Sequence, residues 1–178
     1  MRLIATVVML LLAGAVLAQS GTRDFAIPGH GSLKLAVPPG YDVAQKSVNE
    51  PPAVAIRMVP FMGNAWHLQI TAVRVDPAKA SQAPPLRERV QRTADGLLPR
   101  AVEKQATVLE LRGSQSAGYY FSLQDRESKN SADDYPFLTQ GTTMVGEITT
   151  IFTLLYRDAN NPQKDEVLRM LRDAVHVK

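Results

Sequence analysis

The chain has 178 residues, of which 45% are hydrophobic, with 20 lysine and arginine residues against 17 acidic ones. A net charge of +3, mixed along the chain, does not indicate nucleic-acid binding. The length is sufficient for one domain with a sizeable core, and the absence of cysteine excludes disulfides and thiol chemistry.

Residues 1–18 have the pattern of a secretory signal peptide. Arg2 supplies a positive charge, the apolar run Leu3–Leu12 follows, and Val16 and Ala18 stand at the −3 and −1 positions of a small-residue cleavage site. The apolar stretch is shorter than the roughly 20 residues of a membrane-spanning helix, so an uncleaved anchor is the less favoured alternative. The sequence therefore predicts a soluble exported protein, periplasmic or secreted, with no transmembrane segment after cleavage.

The mature chain, residues 19–178, begins with strands and reaches its first helix near its middle. Hydrophobic alternation predicts strands at Asp24–Ile27, Ser32–Val37, Val54–Met58 and Trp66–Val75. Residues 42–52 are polar and end in two prolines, which predicts a loop. Apolar residues at helical spacing predict a helix from Leu86 to about Leu98.

The second half repeats this order. Strands are predicted at Thr107–Arg112, Ala117–Asp125, Phe137–Met144 and Glu147–Arg157, and the last one is apolar on both faces, as in a central strand. A final helix begins at Asn161 and Pro162. Short connections favour antiparallel pairing. The predicted fold is one α+β domain with a central antiparallel sheet of about six to eight strands and helices packed on its faces.

Three segments of the chain are similar to the PsbP-like fold family. They are the opening strand pair that ends in Val37-Pro38-Pro39-Gly40-Tyr41, the strand Ala117–Phe121 and the closing strand Phe152–Leu154 before a terminal helix. The resemblance implies an α/β/α sandwich and, since the family's common property is binding to other proteins, a binding role. No family metal or partner site matches this sequence, so no residue role follows from the resemblance.

The favoured hypothesis is a non-enzymatic binding or assembly module of the bacterial envelope with an unidentified protein partner and no cofactor. Two loops are candidate contacts: loop 60–65 has two exposed-looking apolar residues, and loop 125–137 has aromatic residues beside acidic ones, as protein contacts often do. The candidate partner surface consists of Phe61, Met62, Trp66, Asp133, Asp134, Tyr135 and Phe137.

Several other functions remain as alternatives. A small hydrolase would use Ser114 or Ser116, or Asp133 and Asp134, with a distant histidine, although the surrounding sequence lacks the first glycine of a nucleophile elbow. A carrier of a small apolar ligand would need an enclosed cavity of several hundred Å3.

Ion and lipid sites are weaker alternatives. His30, His67 and His176 lie too far apart in sequence to indicate a metal site. A calcium ion could be bound by the acidic loop that contains Asp125, Glu127, Asp133 and Asp134, although its spacing is not that of an EF-hand. An anionic lipid or an acidic partner could contact the basic residues around the first helix, which are Arg87, Arg89, Arg92 and Arg100.

Overall fold

The structure is a computed structural model that describes residues 21–76, 78, 82–129, 131 and 134–178. The strands of the first half are β1 Gly21–Ala26, β2 Ser32–Val37, β3 Tyr41–Val48, β4 Ala53–Pro60 and β5 Trp66–Arg74. Those of the second half are β6 Leu109–Arg112, β7 Ser116–Gln124, β8 Phe137–Val145, β9 Ile148–Tyr156 and β10 Val175–Val177. Two helices have both ends within the described residues: α1 Leu86–Leu97, followed by a 3-10 turn at Leu98–Arg100, and α2 Gln163–Arg172.

Seven strands form one antiparallel sheet in the order β3-β4-β5-β9-β8-β7-β6. β9 is the central strand and joins the strands of the first half to those of the second. Trp66, Tyr156 and Phe137 lie side by side across β5, β9 and β8. This confirms the predicted sheet and the central position of β9.

A second, three-stranded sheet has the order β1-β2-β10. Its residues Phe25, Leu33 and Leu35 share one buried cluster with Ile70 and Phe152 of the large sheet. Residues of α2 also belong to this cluster: Val167, Met170 and Leu171. The small sheet and α2 therefore cover the same face of the large sheet, and we call this cluster the main core.

The opposite face of the large sheet is covered by α1. Val90 and Ala94 of the helix pack with Phe121 and Leu123 of β7 in a second, smaller core. Phe121 points away from the main core because successive side chains of a strand alternate between faces. The molecule thus has helices on both faces of an antiparallel sheet, which confirms the predicted α+β class.

Three sequence-based predictions are wrong in detail. Residues 42–52 were expected to be a loop, but Tyr41–Val48 is the edge strand β3. Its side chains are mostly exposed, so it lacks the alternation that identifies a half-buried strand. The short strand β10 follows α2 and was not expected. Finally, the apolar residues on both faces of β9 led us to expect a strand covered on both sides, but Ile151 is 43% exposed.

No helix in the described part of the chain is long and apolar enough to cross a membrane. The predicted signal peptide, residues 1–18, lies outside the described residues.

Candidate functional site

Both loops of the predicted partner surface lie at the same end of the large sheet. β4 ends at Pro60 and β5 begins at Trp66, beside the end of β9 and the start of β8. β5 and β8 are separated only by β9, so two strand spacings, about 10 Å, separate the two loops at this end. We call Phe61, Met62, Tyr135 and Arg157 the loop-end surface.

Phe61 and Met62 form the most exposed part of this surface. Their side chains are 78% and 83% exposed. The Phe61 amide donates a hydrogen bond to the Gly40 carbonyl at 2.8 Å, and Gly63 has a φ of +76°, a conformation that favours glycine. The turn is therefore held to the neighbouring strand connection while it presents two large apolar side chains to solvent.

Trp66 does not belong to the surface, contrary to the sequence-based expectation. It is 2% exposed and lies in the main core, with its ring 4.4 Å from the ring of Tyr41. The Tyr41 hydroxyl donates to Glu166 Oε2 at 3.0 Å, and burial together with this carboxylate raises the pKa of Tyr41. Trp66 and Tyr41 therefore belong to the main core at this end of the sheet.

Arg157 connects the two loops. Its amide donates to the carbonyl of Ala65 at 3.1 Å, next to the Phe61–Met62 turn, and its guanidinium carbon lies 5.3 Å from the centre of the Tyr135 ring. This is cation–π geometry. Arg157 Nε and Nη2 are buried and have no hydrogen-bond partner among the described residues.

Two other basic residues share the sheet face of Arg157. His67 is paired with Leu155, and Arg57 with Gln69, so both point away from the main core. Burial, followed by the charge of Arg57, lowers the pKa of His67. Within the described structure His67 Nε2 is buried and has no partner.

A cleft of about 170 Å3 opens beside Tyr135, at the end of α1. Its lining is mostly apolar and consists of Leu97, Ala101, Leu123, Pro136, Leu138 and Leu155, with Arg100, Gln124, Asp125 and Tyr135 as polar members. Ligand pockets usually measure roughly 300–1,000 Å3, so this cleft is small for a carrier. It suits one side chain, since an apolar cavity of about 150 Å3 accepts benzene.

Two further residues of the predicted partner surface, Asp134 and Phe137, have structural contacts. Asp134 Oδ2 accepts hydrogen bonds from Ser128 Oγ and the Lys129 amide, both at 2.7 Å, and so orders its own loop. The Phe137 ring stacks 5.5 Å from Tyr156 against the main core. Asp133 lies outside the described residues.

Ser116, the candidate nucleophile, is a buried residue of the β6–β7 hairpin. It is 2% exposed, and its hydroxyl donates to the carbonyl of Arg172 at 2.5 Å. This bond ties the hairpin to the end of α2, and nothing in the described structure pairs Ser116 with a base.

The histidines and acidic residues do not form a cation site in the described part of the chain. His176 Nε2 bonds the carbonyl of His30 at 2.8 Å, and Asp125 Oδ1 accepts from the Glu127 amide at 2.9 Å. Of the basic residues near α1, Arg92 pairs with Glu88 and Arg100 with Asp125.

The sequence-based hypothesis did not place Arg57 or Arg157 in the candidate surface, and it considered His67 only as a possible metal ligand. Each is a basic residue within or next to a strand whose other face is apolar, and this pattern could have placed them on one sheet face. The sequence pattern does not give the strand register, which brings these three residues together.

The sequence matches no known family model and no curated protein. Among solved structures, it is similar to cyanobacterial PsbP (CyanoP) from Synechocystis sp. PCC 6803, with a TM-score of 0.54 and 8% identity, over 91% of this chain and 96% of that one. A crystal structure from Bacteroides thetaiotaomicron matches with a TM-score of 0.45 and 9% identity, over 82% of this chain. The chain spans only 45% of that protein's length. The order of elements and the match to CyanoP together show that this chain has a PsbP-like fold.

Proposed function

We propose that this protein is an exported, non-enzymatic binding or assembly module of the bacterial envelope, which docks a partner protein on its loop-end surface. The observation that supports this most is the exposure of two adjacent large apolar residues, Phe61 and Met62. Exposed apolar residues clustered with polar neighbours often mark protein contacts.

The composition of the loop-end surface supports the same function. Aromatic residues, methionine and arginine are enriched in protein interfaces, and tyrosine and arginine are frequent hot spots. The other strongly exposed apolar residues of the described chain are isolated from one another in sequence: Val48, Val102, Leu109, Ile151 and Val177. Single exposed apolar residues of this kind are common on protein surfaces.

Export is supported by residues 1–18, with Arg2 before the apolar run and Ala18 before the predicted cut. The mature domain then comprises residues 19–178. Cell fractionation with intact-mass measurement tests this proposal: the expected product begins at Gln19 and is found outside the cytoplasm. An Ala18→Arg variant is expected to block cleavage, whereas a full-length cytoplasmic wild type would contradict export.

Binding is tested by a photoreactive phenylalanine analogue at position 61 in the native host. The control carries the analogue at Leu109, an exposed apolar residue of the edge strand β6. We expect a discrete adduct from position 61 that the control does not give. Equal adducts from both positions, or none from position 61, would contradict the proposal.

The partner protein captured in the adduct is then purified. Its affinity for the wild type is compared with its affinity for the Phe61→Ser/Met62→Ser variant. Truncation of interface hot spots costs about 2 kcal/mol or more, so we expect at least a roughly tenfold loss. The matched control, Val102→Ser, removes another exposed apolar side chain and should bind like the wild type. An unchanged affinity of the double variant would rule out this surface.

A further inference from the structure

The strand β3 forms one edge of the large sheet. All eight of its residues pair with β4 in a continuous register, and no other described strand pairs with it. The opposite edge strand, β6, has only four residues. Natural proteins protect open edges with prolines, bulges or very short strands, and Tyr41–Val48 has none of these features. This edge is therefore suited to pairing with a further strand.

β3 is exposed along most of its length. Every residue from Ala44 to Val48 is exposed, and Val48 retains 41% of its accessible surface. Among the described residues, the small sheet contributes one hydrogen bond to β3, from Ser47 Oγ to the Ala26 carbonyl at 3.4 Å. It involves a side chain of β3 and leaves the backbone groups of the strand unused.

The hydrogen-bond pattern shows which backbone groups face outward. The Phe61 amide donates to the Gly40 carbonyl at 2.8 Å, so these residues form a hydrogen-bonded pair. Such pairs alternate with non-hydrogen-bonded pairs in an antiparallel ladder, so the even-numbered residues of β3 bond to β4. Pro60, which has no N–H, stands opposite Tyr41 and fits this alternation. The residues whose N–H and C=O groups face the open edge are Tyr41, Val43, Gln45 and Ser47.

Two of the side chains that alternate with these residues have opposite charges. Asp42 and Lys46 lie on the same face of β3 because they are four residues apart. Both are exposed, and neither forms an ion pair within the described chain. Ala44 lies midway between them. The charges of β3 are therefore symmetric about Ala44 in position and opposite in sign.

Two copies of β3 match each other in one antiparallel register. When they pair around Ala44, all four outward-facing residues of one copy meet outward-facing residues of the other. Asp42 of each copy then stands directly opposite Lys46 of the second, in a non-hydrogen-bonded pair, where side chains are closest. A shift of two residues in either direction would place both charged residues opposite uncharged ones.

We propose that β3 joins two copies of this chain in a symmetric antiparallel pair centred on Ala44, which merges their large sheets. A second copy is favoured over an extended segment of another protein because β3 itself supplies the charges that this register pairs. The contact involves one strand from each copy, so the dimer is weak and reversible. The inference is independent of the proposed function, since the loop-end surface contains no residue of β3.

The register is tested with Ala44→Cys in residues 19–178, which include every described element and no native cysteine. The two copies of position 44 would have Cα atoms about 4.5 Å apart, which suits a disulfide. The control is Val48→Cys, another exposed position on the same face, which stands opposite Gly40 in this register. At high protein concentration and under mild oxidation, we expect Ala44→Cys to form a covalent dimer at least about tenfold faster.

The charges are tested by sedimentation equilibrium. Asp42→Lys and Lys46→Asp each place like charges opposite each other twice, so we expect either variant alone to dimerise about tenfold more weakly than the wild type. An equimolar mixture of the two variants restores both opposite-charge pairs, as does Asp42→Lys/Lys46→Asp within one chain. We expect both to recover the affinity of the wild type. A role of these residues in folding alone would not give this recovery in the mixture.

Three results would overturn the inference. They are a wild type that stays monomeric up to about 1 mM, equal oxidation rates of the two cysteine variants, and a mixture that dimerises no better than its components. A monomeric wild type overturns it even if a strand of another protein pairs with β3. Should Ala44→Cys not fold, the mixture of charge variants still decides. The adduct at position 61 is measured separately, so either proposal can fail without the other.

Discussion

The two ends of the large sheet differ in how completely their basic side chains are paired. At the end opposite the loop-end surface, Glu147 pairs with Arg74 at 3.0 Å and with Lys178 at 2.5 Å. Both ring nitrogens of His176 have partners there, the His30 carbonyl and the Glu147 amide. We call this the anchored end.

The loop end combines exposed apolar side chains with buried polar atoms that have no partner. Phe61 and Met62 lie in solvent, and Arg157 Nε and Nη2 are unpaired within the described chain. The anchored end thus resembles a region organised for stability. The loop end retains groups that lower stability, as sites used for binding often do.

The largest expected effect comes from adding one methyl group at the anchored end. A Cβ at Gly113 would lie 1.7 Å from the Arg172 carbonyl oxygen, so Gly113→Ala must displace backbone. We expect it to lower the free energy of unfolding by about 3 kcal/mol, at the upper range for overpacking.

The control is Gly96→Ala in α1, where the Cβ would meet no atom within 4 Å. Here we expect a gain of about 0.5–1 kcal/mol from helix propensity. Urea unfolding of both variants measures these changes, and a mild effect at Gly113 would mean that the contact between the β6–β7 hairpin and α2 is easily displaced.

The second prediction applies the same substitution to both ends. Arg74→Met removes a side chain paired with Glu147, and we expect the stability to fall. Arg157→Met removes an unpaired, partly buried charge but keeps apolar contact with Tyr135. We therefore expect the free energy of unfolding to rise by about 1 kcal/mol.

Changes of opposite sign in the free energy of unfolding of the two variants, measured by urea unfolding, would support the contrast between the two ends. A loss of stability in Arg157→Met as large as that in Arg74→Met would show that Arg157 serves the fold.

The third prediction concerns the well-paired contact beneath the loop end, between Tyr41 and Glu166. Burial, then the carboxylate, raises the pKa of Tyr41 above the ordinary value of 10.0. Above this pH the unfolded chain loses a proton that the folded protein keeps, so stability should fall as pH rises beyond about 10. Tyr41→Phe should remove this part of the pH dependence and cost about 1 kcal/mol near neutral pH, because a hydrogen bond is lost.

The measurement is chemical unfolding of both proteins between neutral and alkaline pH. Parallel stability profiles for the wild type and the Phe variant would contradict the role given to Tyr41.

How far the sequence predicted the fold depends on how much of each strand is buried on one face. β2 and β5 alternate regularly, and their positions were predicted closely. β3 is an edge strand that is held by pairing with β4, and its mostly exposed side chains show no hydrophobic alternation. It was therefore predicted as a loop. β10 has only three residues and depends on pairing with the distant β2.

The candidate site was predicted where it depends on local sequence. Phe61 and Met62 stand next to each other before Gly63, so a turn with exposed apolar residues could be expected. Arg157 could not be identified in this way, since its contacts are with Ala65 and Tyr135, which only the strand register brings near. The burial of Trp66 likewise depends on Tyr41, from another strand.

The central position of β9 has a consequence for the order in which the chain can fold. Trp66 pairs with Tyr156, so the first-half strands can join β6–β8 only after nearly all of the chain has been synthesised. Until then β5 and β8 each have an open edge, and apolar residues such as Leu68 and Ile70 lack their cover. Pairing between such distant segments is slow because a long loop must close first. A chain that stops before Ile148 would therefore expose unpaired strand edges, which makes it prone to aggregation.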